Sequence, residues 1–127
     1  MKTRIMVVDD SETERFIFSL VLKKINADLE HIEAANGQEA LELLKTSDTH
    51  PDFIFLDLNM PIMDGFEFLE EITNKHHINS KVVVVSSSYR EDDIKRSTSY
   101  PIVCDYIAKP INISALTDTI NIISAAN

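Results

Sequence analysis

Four successive valines, Val82 to Val85, form one of several short, almost unbroken apolar runs along the chain. Ile5 to Val8 and Phe53 to Leu56 are others, with Ile102 to Ala108 and a weaker stretch, Leu29 to Ala34. Runs this short and this apolar predict strands buried on both faces, the mark of a parallel sheet. Helical patterns separate them. The first opens at Ser11-Glu12-Thr13-Glu14, where Ser11 and Glu14 have the spacing of a capping box, and continues through Phe16, Ile17, Leu20, Val21 and Ile25. A second follows Asn36-Gly37, with Ala40, Leu41 and Leu44 on one face. A third starts near Gly65 and is expected to bury Phe66, Leu69 and Ile72. The fourth, about Glu91 to Thr98, is mostly charged, with Ile94 as its only large apolar residue. The fifth carries Ile113, Leu116, Ile120 and Ile123 as an amphipathic stripe. Strands alternating with helices imply an α/β fold, a five-stranded parallel sheet covered on both faces.

At 127 residues, with no linker, repeat or low-complexity segment, residues 1–127 are expected to form one domain with its own core. The two glycines, Gly37 and Gly65, are too few for a glycine-rich phosphate loop. A net charge of -9 argues against binding nucleic acid through its phosphates and suits metal cations or partners with basic patches. No apolar run approaches the roughly 18 residues needed to cross a membrane. Met1-Lys2-Thr3-Arg4 leads straight into a strand, and the apolar stretch there is too short for a signal peptide, so a cytoplasmic location is expected. The lone Cys104 has no disulfide partner within the chain and is expected to be a buried structural thiol.

The ends of the strands carry the chemistry. Asp9-Asp10 follow Ile5 to Val8, and Asp57 follows Asp52 to Leu56 and opens a Pro/Gly turn running to Gly65. Ser86 follows the valine run, and Lys109-Pro110 follow Tyr106-Ile107-Ala108. Open α/β sheets bind ligands beyond the carboxyl ends of their strands. Acids gathered there repel one another unless a cation joins them, and Mg²⁺ takes such oxygen ligands. No Cys or His stands at these ends, which disfavours zinc or copper. His76-His77, beside Lys75 at a helix end, and the isolated His31 and His50 read as surface residues. Plainer roles stay open for the others. Asp9 or Asp10 could cap the first helix, Asp64 suits the Asp-Gly turn, Ser86 could cap a strand end, and Tyr106 could be an ordinary half-buried strand residue.

Val8-Asp9-Asp10-Ser11, Asp57-x-x-Met60-Pro61-x-Met63-Asp64-Gly65, Val85-Ser86-Ser87 and Lys109-Pro110, in this order, resemble the receiver domain of two-component response regulators over the whole chain. The resemblance implies a flavodoxin-like, doubly wound sheet with strand order 2-1-3-4-5. It implies that Asp57 is the phosphoacceptor, taking a phosphoryl group from the phosphohistidine of a sensor kinase or phosphotransfer protein, or from a small phosphodonor. Asp10 and Asp57 would hold Mg²⁺ with the carbonyl of Asn59, and Asp9 would act largely through water. Lys109 would add positive charge on the phosphoryl group, and Ser86 would donate to one of its oxygens. Tyr106 would be the switch aromatic. Pro61 and Gly65 would shape one turn, and Pro110, through a cis peptide, the turn that holds Lys109.

The segment before the fifth strand, Thr98 to Cys104, departs from the family pattern: it lacks the usual Gly-Ala pair and contains Pro101. The fourth helix is poor in apolar residues, which predicts weak anchoring. Both departures fall on the surface of helix four, strand five and helix five, which a downstream protein target would read. With no output domain in the sequence, a stand-alone receiver that docks or relays is expected. Two other classes compete. An Asp-nucleophile phosphatase would need a second acid two residues after its nucleophile, where Asn59 and Ser11 stand instead. A receiver-like module that is not phosphorylated would be marked by loss of Asp57, Lys109 or a paired acid, and all are present.

Overall fold

The computed structural model describes residues 3–25, 28–88 and 90–126, with side chains up to residue 121. Among these, strands and helices alternate as β1 (Arg4–Val8), α1 (Glu12–Ile25), β2 (Glu30–Ala34), α2 (Gly37–Thr46), β3 (Phe53–Leu56), α3 (Gly65–Asn74), β4 (Lys81–Ser86), α4 (Glu91–Thr98), β5 (Val103–Ala108) and α5 (Ile113–Ala126). The strands form one parallel sheet in the order β2-β1-β3-β4-β5. The expected architecture and strand order are those observed.

Alternation of side chains across each strand divides the core into two layers. Met6, Val8, Ile54, Leu56, Val82 and Val84 pack with α2 and α3 through Ala40, Leu41, Leu44, Phe68, Leu69 and Ile72. Ile5, Val7, Phe53, Phe55, Val83 and Val85 pack with α1 and α5 through Phe18, Leu22, Leu116 and Ile120. Both faces are covered, which is why Ile5 to Val8, Phe53 to Leu56 and Val82 to Val85 contain no polar residue. Each buried Val, Leu, Ile, Phe or Met side chain among them stabilises the fold by about 1.5–3 kcal/mol. Among the described residues no helix is long and apolar enough to cross a membrane.

Several expectations need correction. In α1 the buried residues are Phe18, Ser19, Val21 and Leu22, while Phe16 is 61% exposed and Ile17 and Leu20 are each 45% exposed. The helix is apolar on more than one face, so periodicity alone did not pick the face that meets the sheet. In α3 Phe68 is fully buried and Phe66 only partly. Ile113 at the start of α5 is exposed, and the side chain of Ile123 lies outside the described residues.

Cys104 is exposed, not buried. The register explains it: Val82 pairs with Val103 but Val83 with Asp105, so Cys104 is the extra residue of a bulge in an edge strand. What burial its thiol retains, together with the charge of Asp105, pushes its pKa up, away from a reactive thiolate.

The apolar-poor α4 is anchored by other means. The guanidinium of Arg96 lies 4.0 Å from the ring centroid of Phe66 on α3, and the Tyr100 hydroxyl just beyond α4 donates to Glu70 of α3.

Candidate functional site

Parallel register brings the strand-end residues together. Val8 pairs with Leu56, and the ladder runs one residue further, where the Asp57 amide donates to the Val8 carbonyl at 2.9 Å. Asp9 and Asp57 are thus the next side chains on neighbouring strands. On the other side Ser86 pairs with Ala108, and the Lys109 amide donates to the Ser86 carbonyl at 2.8 Å. The peptide between Lys109 and Pro110 is cis.

Asp9, Asp10 and Asp57 each offer a carboxylate oxygen, and the three atoms lie within 4.8 Å of one another. Asp9 and Asp57 are buried and Asp10 is exposed, so the cluster opens to solvent on one side. Lys109 Nζ donates to Asp9 Oδ2 at 2.8 Å and stands 3.9 Å from Asp57 Oδ2. Asp57 Oδ1 accepts only a long bond, 3.4 Å, from the Asn59 amide. Burial pushes the Asp57 pKa up to about 6; Lys109 opposes the rise, and Asp9 and Asp10 add to it. For Lys109 burial pulls the pKa down, but the bond to Asp9 and the charges of Asp57 and Asp9 outweigh it and hold the amine protonated.

This donor set fits a hard divalent cation. It is all oxygen, it carries excess negative charge despite Lys109, and burial together with Asp9 and Asp10 pushes the Asp57 pKa up, an effect a bound cation would oppose. Asn59 is exposed beside it. Ser86 is fully buried at the end of β4, and its Oγ accepts from the Ser88 amide at 3.1 Å.

The family model of the response regulator receiver domain matches residues 5–121. The chain belongs to that family. It is 35% identical over 117 residues to the sensor histidine kinase CheAY of Helicobacter pylori, covering 91% of this chain but only 14% of that protein. It is 30% identical to the chemotaxis protein CheY of Thermotoga maritima, over 98% of this chain and 99% of that one. The solved structure of the phosphorylated cyanobacterial phytochrome response regulator RcpA superposes with a TM-score of 0.81 at 32% identity, covering 98% of this chain and 92% of that one.

In this receiver the segment after Asp57 is folded tightly against the site. The Gly65 amide donates to the Leu58 carbonyl at 3.0 Å, and a Cβ at Gly65 would lie 2.6 Å from the Asp57 carbonyl and 2.7 Å from Leu58 Cα. Only glycine lets α3 begin this close to the backbone of Asp57. Asp64 is the N-cap of α3, in a reciprocal capping box with Glu67. Met63 donates to the Pro61 carbonyl at 2.7 Å around Ile62, which is 79% exposed and holds φ at 70°. A β-branched residue at positive φ is strained, and the γ-turn geometry accounts for it. The Met63 carbonyl is in turn held by the Gly37 amide at 3.0 Å.

At the start of α1 the side chain of Asp9 accepts from the Ser11 amide at 2.9 Å, and Ser11 Oγ accepts from the Glu14 amide at 3.2 Å. Asp9 therefore takes part in a helix cap as well as in the acid cluster. The capping box expected of Ser11 and Glu14 is half formed, because the Ser11 amide is taken by Asp9. Glu14 lines the small void beneath the site with Asp9, Asp57 and Lys109, and its charge reaches Lys109.

Tyr106 is partly buried, and its hydroxyl donates to the Ser88 carbonyl at 2.9 Å. The sequence offered Glu14 only as a helix-capping residue and Gly37 only as the start of a helix, and it gave Ser88 no role. Their links to Lys109, to the Met63 carbonyl and to Ser86, Tyr106 and Asp93 exist only once the fold brings those partners together.

Proposed function

We propose that this receiver accepts a phosphoryl group on Asp57 from the phosphohistidine of a sensor kinase or phosphotransfer protein, in a Mg²⁺-dependent reaction, and changes the surface of α4, β5 and α5 in response. The observation that carries the reading is the environment of Asp57: a buried carboxylate with its pKa pushed up to about 6, between two further acids and the amine of Lys109.

A carboxylate so placed is reactive, and the cluster around it opens to solvent at Asp10. One oxygen of Asp57 attacks phosphorus, the P–N bond to the donor imidazole breaks, and its electron pair stays with the imidazole nitrogen. Asp9 and Asp10 with Asp57, and the Asn59 carbonyl, would hold Mg²⁺, which supplies charge neutralisation on the phosphoryl oxygens. Lys109 is within reach of the same oxygens once its bond to Asp9 is exchanged, and Ser86 is placed to donate to one of them. No separate catalytic turnover is needed, which favours a phosphoacceptor over an enzyme with its own substrate. The kinship with CheAY and CheY supports a histidine kinase as phosphodonor and a protein as downstream target. Residues 1–127 act as one receiver unit in this reading.

Incubation with Mg²⁺ and acetyl phosphate, followed by intact-mass measurement, tests it. One added phosphoryl group is expected, absent without Mg²⁺ and absent in Asp57→Asn. Equal labelling of that variant would place the acceptor elsewhere.

A further inference from the structure

Ser88 makes hydrogen bonds in several directions at once. Its amide donates to Ser86 Oγ at 3.1 Å, and its carbonyl accepts from the Tyr106 hydroxyl at 2.9 Å. Its own hydroxyl donates to Asp93 Oδ2 at 2.8 Å and accepts from the Arg90 amide at 3.2 Å. The last two bonds matter because of how α4 begins. Its N-cap position is Arg90, which makes no side-chain cap bond. In an ordinary capping box the residue three positions into the helix reaches back to the N-cap amide. Here Asp93 holds that position, and the hydroxyl of Ser88 stands between its carboxylate and the Arg90 amide. The first turn of α4 is therefore capped by a residue outside the helix.

That residue is bonded to Ser86. In the proposed function Ser86 turns its hydroxyl toward a phosphoryl oxygen, which takes its Oγ away from the Ser88 amide. An amide left without an acceptor is penalised, so Ser88 moves with Ser86. Movement of Ser88 acts on Tyr106 through its carbonyl and on α4 through its hydroxyl. Few other contacts fix the start of α4, since Ser97, near its end, is the helix's one buried residue.

We propose that the Ser88 hydroxyl is the positioning group through which occupancy of the Asp57 site reaches the first turn of α4, separately from its path to Tyr106. This rests on the phosphoacceptor reading above. The backbone groups of Ser88 serve Ser86 and Tyr106 whatever its side chain, whereas the link to α4 needs the hydroxyl.

The test compares the full chain with Ser88→Ala and Ser88→Thr. Each is treated with Mg²⁺ and acetyl phosphate for intact mass, and with Mg²⁺ and beryllofluoride for amide NMR. Ser88→Ala is expected to take up the phosphoryl group at a rate within about twofold of the wild type, since no phosphoryl contact is removed. Its beryllofluoride-induced shift at Tyr106 persists, while the shifts over Glu91 to Ile94 shrink roughly twofold or more. Ser88→Thr, which keeps the hydroxyl, restores them.

Full-amplitude shifts at α4 in Ser88→Ala, or no rescue by Ser88→Thr, would overturn the proposal. Hydrogen exchange without ligand adds a control. Protection lost along the whole of α4 in Ser88→Ala would make Ser88 a simple cap and would also overturn it. A wild type that takes up no phosphoryl group would remove the phosphoacceptor reading itself; labelling of the wild type with an unaltered α4 response in Ser88→Ala removes only the role of Ser88.

Discussion

Lys109 is bonded to Asp9 at 2.8 Å and stands off from Asp57 at 3.9 Å. The amine is thus bonded to Asp9 and held beside Asp57 at a longer distance. Lys109→Ala is expected to keep Mg²⁺ binding, since the lysine supplies no oxygen ligand, but to slow phosphorylation roughly 100-fold, as loss of a preorganised charge does. Its loss also removes the one influence that pulls Asp57 down among the neighbouring charges, so the Asp57 titration midpoint rises above about 6. Calorimetric Mg²⁺ titration, intact-mass time courses and carboxyl NMR read the three effects. An unchanged rate would exclude Lys109 from the reaction.

Asp57 makes the metal-free fold sensitive to pH in a definite direction. Its folded pKa is about 6, above that of an unfolded aspartate, so the folded state holds the proton more tightly. The resulting stabilisation is complete at low pH, below the unfolded value, and is lost as pH rises through about 6. Asp57→Asn does not ionise there. In EDTA its stability relative to wild type should rise between about pH 4 and pH 7, by on the order of 2 kcal/mol. Denaturant melts across this range check it; a difference independent of pH would mean that Asp57 titrates normally.

Mg²⁺ should stabilise the wild type, because the unfolded chain has no comparable cluster. At a concentration about ten times Kd the gain is about 1.4 kcal/mol. In Asp10→Asn the gain should shrink, and the metal-free melting temperature should rise slightly as one of the repelling charges is removed. Thermal melts in EDTA and in Mg²⁺ measure both. A wild type indifferent to Mg²⁺ would show that the acids, though close, do not form one site.

Gly65→Ala places a methyl group against the Asp57 carbonyl and the Leu58 Cα, both backbone. Neither neighbour can turn aside as a side chain could, so α3 must shift. A loss of about 1–3 kcal/mol in stability is expected, with weaker Mg²⁺ binding as the backbone of Asp57 moves. Urea melts and calorimetry would reveal it, and a neutral substitution would mean that the start of α3 is looser than its packing implies.

The sheet and the acid cluster were legible in the sequence for a shared reason. A strand buried on both faces must be apolar throughout, so Ile5 to Val8, Phe53 to Leu56 and Val82 to Val85 declare themselves, and a charged residue directly after such a run, as at Asp9, Asp57 or Lys109, stands out. What escaped depends on pairing and on backbone groups. Phe16, Ile17 and Leu20 compete with Phe18, Val21 and Leu22 for the core, and only the docked helix shows which set wins. Cys104 is turned outward by a bulge that exists only once β5 is registered against β4. Ser88 works through an amide, a carbonyl and a hydroxyl whose partners lie on β4, β5 and α4.

The mode of attachment of α4 also has a thermal consequence. The heat-capacity change of any opening follows the apolar surface it uncovers. Ile94 is the only large apolar side chain on α4 and is half-buried, and the rest of its anchorage is a cation over a ring and bonds between polar groups. Of its own side chains only Ile94 offers much hydrocarbon to wet on detachment, so the free energy of detachment is expected to curve less with temperature than that of the sheet core. Across the temperatures where the sheet stays close to its maximum stability, the α4 surface is expected to loosen steadily, a shallow thermometer laid over a thermally flat frame.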